Sequence, residues 1–98
     1  MLVKIHKSYR QVVAICDSEL LGKKFEEGKF QLDLTGEFFN GEELSQEKVS
    51  EIVRDMARED ATFNIVGENS VNLCKEMGVI AESGIMKIQG VPYALILL

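Results

Sequence analysis

Thr62-Phe63-Asn64-Ile65-Val66-Gly67-Glu68-Asn69-Ser70 is the stretch on which the fold turns. Its first five residues read as a short strand that stops at a glycine, and a helix follows to about Met77. Gly78 and Val79 suit a Schellman ending, with Gly78 in the left-handed conformation and Val79 packing back on Cys74. A strand feeding a helix through one glycine points to a layered α/β arrangement.

Working back from Thr62, a stronger helix is expected from about Ser45 to Arg58. Ser45 serves as its cap, and Leu44 before the cap packs on Val49 as a hydrophobic staple. Val49, Ile52, Val53, Met56 and Ala57 fall on one apolar stripe that faces a sheet. The opposite face carries charges, with Glu51–Arg54 and Asp55–Arg58 as candidate pairs. Lys29 to Thr35 alternates cleanly, with Phe30, Leu32 and Leu34 on one side. Residues 2–7 and 11–16 read as an antiparallel strand pair joined through Ser8-Tyr9-Arg10. Asp17 and Ser18 are good caps for a short turn through Leu20-Leu21 that ends at Gly22. Glu26-Glu27-Gly28, and then Gly36, Asn40, Gly41, Glu42 and Glu43, mark turns.

Downstream, Ile85–Gln89 and Tyr93–Leu98 read as strands joined by Gly90-Val91-Pro92. The last is apolar on both faces, which suits a central strand; burial of one face by a second copy in a homodimer is the alternative. The element order is β-β-(short α)-β-α-β-α-β-β. The expected fold class is α+β: a mixed, largely antiparallel sheet of about six strands with two main helices packed on one face. One domain over 1–98 accounts for all 98 residues.

The formal charge is −5, which works against non-specific nucleic-acid binding, and the densest basic cluster, Lys4, His6, Lys7 and Arg10, is small. No apolar run approaches the roughly 20 residues of a membrane span, and the N-terminus lacks a signal-peptide layout, so a cytoplasmic location and no membrane partner are expected. Cys16 and Cys74 read as free buried thiols. His6, the only histidine, reads as a surface residue on the polar side of its strand. A Cys16–His6 pair would need the two side chains to meet across their strands. Zinc, calcium and phosphate-loop motifs are absent from the sequence, so no metal, cofactor or catalytic set is expected. Phe38 and Phe39 read as core anchors, though exposure of either would matter. At Gly67-Glu68-Asn69 a helix start could present free N–H groups to an anion, but Glu68 would repel it and already complements the helix dipole.

Cys16-Asp17-Ser18-Glu19-Leu20-Leu21-Gly22-Lys23 with Phe25-Glu26-Glu27-Gly28 forms one block; Asn64-Ile65-Val66-Gly67-Glu68 is a second, and Ile88-Gln89-Gly90-Val91-Pro92-Tyr93-Ala94 a third. In this order they resemble a small archaeal family, the domain-of-unknown-function family numbered four hundred and twenty-four. The resemblance implies an archaeal cytoplasmic protein and brings no reaction, substrate or cofactor with it. It singles out Asp17, Gly22, Lys23, Gly67, Glu68, Gly90 and Pro92. In the family pattern the residue after Gly-Val-Pro is often histidine; Tyr93 stands there in this chain, which argues against a proton-transfer role at that position.

The glycines and Pro92 have structural explanations, whereas Asp17, Lys23 and Glu68 are polar residues at strand ends, where ligand sites collect. The candidate ligand or partner site is therefore Asp17, Lys23, Gly67, Glu68, Asn69 and Tyr93. The leading expectation is a non-enzymatic binding or adaptor module with a protein partner, attached to an information-processing complex. A small-ligand-binding protein or minor enzyme is second, and requires Asp17, Lys23 and Glu68 to converge in one pocket near the Gly67 helix start. An RNA-binding accessory protein is third, and requires a contiguous basic face of Lys4, Lys7, Arg10 and Lys23.

Overall fold

Alternation at Leu2–His6 and the apolar run Val12–Cys16 form strands β1 and β2, paired antiparallel with Val3 opposite Ile15 and His6 opposite Val12. The computed structural model describes residues 1–97; Leu98, the end of the last expected strand, lies outside the described residues. After a 3-10 turn at Ser18–Leu20 the chain forms β3 (Lys24–Glu27), β4 (Phe30–Asp33), β5 (Glu42–Glu43), helix α1 (Gln46–Arg58), β6 (Thr62–Val66) and helix α2 (Glu68–Glu76). A second 3-10 turn at Glu82–Gly84 leads to β7 (Met86–Ile88) and β8 (Val91–Leu97). Six strands make one sheet in the order β5-β1-β2-β6-β8-β7. Among the described residues only β2 and β6 run parallel; the other neighbours in this sheet are antiparallel. The α+β class, with a mixed and largely antiparallel six-stranded sheet and two helices, is what the sequence suggests.

The helices begin and end on the expected residues. Ser45 Oγ accepts from Lys48 N at 3.2 Å, and Leu44 packs on the core beside Val49. At the far end of α2, Val79 N donates to Cys74 O and Gly78 N to Lys75 O, both at 3.0 Å, with Gly78 at φ 77°. That is the complete Schellman pattern. The charged face of α1 differs in detail, since Glu51 pairs with Lys48 at 3.6 Å.

The helix-side core joins Val13, Ile15, Phe63 and Ile65 of the sheet to Val49, Val53, Val71 and Cys74. These side chains are essentially fully buried, each worth roughly 1.5–3 kcal/mol for its larger members. The opposite face is covered too. Ala14, Cys16 and Val66 lie under Leu34 and Phe39, with Phe25 and Leu32 packed around them. Burial on both faces is why β2 is apolar at every position.

Four sequence expectations need correction. The strand expected over 29–35 is β4, and it pairs with β3 as a separate two-stranded ribbon rather than joining the sheet. Glu26 and Glu27, expected as turn with Gly28, belong instead to β3, which extends because Phe25 faces Leu32 over the second core. Glu42-Glu43, also expected as turn, pairs with Leu2 and Val3 as the edge strand, and Glu43 accepts from the N-terminal ammonium at 2.6 Å. The last connection is the two-residue turn Gln89-Gly90, whose φ angles of 51° and 80° suit a tight hairpin; Val91 and the trans-linked Pro92 already belong to β8. β8 does lie inside the sheet, between β6 and β7.

Candidate functional site

The parallel pair β2–β6 sends two carboxyl ends to the same edge of the sheet, and the chain leaves both through unusual backbone. Asp17 N donates to Val66 O at 3.0 Å, and Gly67 N to Pro92 O at 2.9 Å, which ties β2, β6 and β8 together there. Asp17 is the first residue of the short turn, as expected, but its side chain makes no cap to that turn. It reaches across to α2 instead. Oδ1 accepts from Ser70 N at 2.8 Å and Ser70 Oγ at 2.6 Å, and Oδ2 accepts from Asn69 N at 3.0 Å. Asp17 and Ser70 are both buried. The carboxylate thus satisfies helix-start donors that Gly67, having no side chain, leaves open. The anion that this helix N-terminus attracts is the chain's own.

Gly67 has two reasons to be glycine. It sits at φ 108° and ψ 153°, a region that side-chain-bearing residues avoid. A Cβ there would also overlap the Asp17 carboxylate, 2.6 Å from Oδ2.

Above this junction lies a cleft of about 170 Å³ lined by Asp17, Glu19, Leu20, Glu68, Gly90, Val91 and Pro92. Glu19 and Glu68 are exposed at its rim. Glu68, Gly90 and Pro92 also border a neighbouring hollow of about 180 Å³, where Lys75 bridges Glu82 at 3.0 Å. Asp17 and Glu68 therefore line one cleft, and Gly67 and Asn69 adjoin Asp17 outside its lining. Lys23 does not join them. Its N–H donates to Leu20 O and its carbonyl accepts from Leu34 N, which holds it in the approach to β3. Tyr93 lies in a separate shallow groove of about 300 Å³ with Glu27, Phe30, Met86 and Lys87.

The family model described as "Protein of unknown function (DUF424)" matches residues 6–98. The chain belongs to the DUF424 family. The resemblance drawn from the three sequence blocks is thereby confirmed. A crystal structure titled as an uncharacterized conserved protein from Methanopyrus kandleri is similar to it at a TM-score of 0.85 and 24% identity, over 97% of this chain and 88% of that one. At that identity the likeness shows the fold alone. No curated protein matches at a significant level.

The DUF424 blocks, far apart in sequence, meet at this one place: every residue lining the 170 Å³ cleft lies in one of the three. Glu19 and Val91 were missed as site residues because their neighbours across the cleft are more than twenty positions away. Among the described residues no group of three or more His, Cys, Asp and Glu comes together as a metal site.

His6 stays away from Cys16. Leu2 faces Cys16 and His6 faces Val12, so four residues of strand, about 13 Å, separate them. His6 is half-buried rather than fully at the surface: its Nε2 donates to Phe38 O at 2.9 Å, and its ring stacks on Phe38 at 4.5 Å. Phe39 is the core anchor, whereas Phe38 is 42% exposed.

Burial pushes the Cys16 thiol up to about 12, with the nearby carboxylates of Asp17 and Glu19 adding to the effect, and burial alone does the same to Cys74. Iodoacetamide at pH 8 is therefore expected to leave the folded protein unmodified and to label both cysteines in denaturant, as intact mass will show. Because the folded values lie above the ordinary 9.0, the thiols' contribution to stability is complete below pH 9 and fades as pH rises toward 12.

Proposed function

We propose that this DUF424 chain is a non-enzymatic binding module that takes a basic side chain of a partner protein into the cleft at the carboxyl ends of β2 and β6. The observation that carries the reading is the convergence of all three family blocks on that cleft, with the Glu19 and Glu68 carboxylates at its rim. A volume near 170 Å³ matches one extended side chain rather than a nucleotide-sized ligand. Asp17 is committed to α2, so the carboxylates left to meet a cation are the two at the rim. The setting we infer is an archaeal cytoplasm, in an information-processing complex. A homodimer is a second mode of association, favoured by the exposed Phe30, Met86 and Leu95 on the ribbon side.

The small-ligand or enzyme reading needed Lys23 beside Asp17 and Glu68, and Lys23 lies elsewhere.

Isothermal titration with an arginine-containing peptide tests the reading. Glu19→Gln with Glu68→Gln is expected to weaken binding about tenfold or more without lowering the melting temperature, because both side chains are exposed. Equal affinity for wild type and the double variant would end the proposal. Sedimentation of the protein alone separates the dimer.

A further inference from the structure

Charge is divided unevenly along this chain. All 16 acidic residues lie after Cys16, while Lys4, Lys7 and Arg10 lie before it. The acid-free segment is the β1–β2 hairpin, and its tip projects from the end of β2 opposite the acidic cleft. Lys7, Ser8, Tyr9 and Arg10 are exposed there, with Ser8 Oγ donating to Arg10 O at 2.6 Å to hold the turn. The Tyr9 ring stands fully in water, at 108% relative exposure. A ring in that position contributes no burial to the fold. Next to the tip, where β1 ends, the Phe38 ring stacks on His6 and is itself part-exposed. Lys4 Nζ donates to Glu37 O at 2.9 Å and helps fasten that loop over the sheet. The bond from Thr62 N to Gln11 O brings the turn after α1, with Glu59 and Asp60, up to one side and bounds the basic patch there.

We propose that the hairpin tip is a second binding surface, for single-stranded nucleic acid. Tyr9 stacks on an unpaired base, and Lys7 and Arg10 meet the flanking phosphates. An exposed aromatic between two cations is the combination that single strands use, since every base offers a face and every linkage a charge. An acidic peptide matches the charge but gives the ring nothing to stack on. A duplex keeps its bases stacked and hidden, so the tip selects single strands. Lys23, expected to extend the basic face, follows the turn at the far end of β2 and takes no part. The site rests on residues separate from the cleft, so either can fail without the other.

Fluorescence anisotropy with a labelled oligouridylate of about twelve nucleotides, at about 50 mM salt, provides the test. Binding is expected, with log K falling against log salt at a slope of about −1.5 to −2, the value for two or three phosphates on a single strand. Tyr9→Ala should weaken it about tenfold while Tyr9→Phe retains it. Lys7→Glu with Arg10→Glu should weaken it at least tenfold, and Glu19→Gln with Glu68→Gln should leave it unchanged. No binding at low salt, full affinity in Tyr9→Ala, or equal binding of polyglutamate overturns the proposal. All substituted positions are exposed, and an unchanged melting temperature confirms that each variant is folded.

Discussion

Gly67→Ala is expected to destabilise the protein by about 4 kcal/mol, one of the largest losses available to any single methyl group in this chain. The position lies at φ 108°, where an alanine is strained by roughly 1–3 kcal/mol in any surroundings. The new Cβ would also land on the Asp17 carboxylate and push it off Asn69 and Ser70. For a chain of this size the melting temperature should fall by about 20 °C, measured by circular dichroism. A fall of only a few degrees would mean that neither the backbone conformation nor the close approach matters.

Asp17→Ala should cost about 3 kcal/mol, because it removes three hydrogen bonds at once and strands two amides and a buried hydroxyl. Asp17→Asn should cost less, since its amide oxygen can still accept from Ser70. The two sites must couple. In an Asp17→Ala background the Cβ added at residue 67 meets no carboxylate, only the retained Cβ of residue 17 at 2.7 Å, so Gly67→Ala should there cost less than it does in the wild-type chain. Thermal unfolding of the two single variants and the double variant measures the difference, and strict additivity would contradict the contact.

Much of the fold could be read because it depends on local rules. Ser45 caps α1 and Gly78 ends α2 through atoms within six residues of one another, and the alternation at Val3 and Ile5 needs no distant partner. What escaped the sequence depends on distance. β3 has one apolar residue, Phe25, and extends only because Leu32 faces it over a core supplied by Ala14 and Val66. β5 is two glutamates that become a strand by lying against Leu2 and Val3. Phe30, Leu32 and Leu34 do share a side, yet burial fades from Leu34 to Phe30 as the ribbon runs off its support.

The candidate site divides the same way. Asp17, Gly67, Glu68 and Asn69 came from strand and helix ends, where the chain's polarity is not needed for local folding, and they do meet. Lys23 was named on the same grounds and Tyr93 lies in the third family block, and both go elsewhere. No spacing rule could tell that the Asp17 side chain caps a helix 52 residues away instead of its own turn.

That remote cap also bears on how the chain folds. A nine-residue helix is too short to persist in isolated water, and α2 opens on a glycine with no cap of its own. It becomes stable only once residue 17 has been brought to it, which requires β2 and β6 to lie in parallel register with five elements of chain looped between them. Closing so long a loop is slow, and the reward arrives only afterwards. The helix therefore depends on the sheet, and strand assembly and helix formation in this half of the molecule are expected to form a single cooperative event.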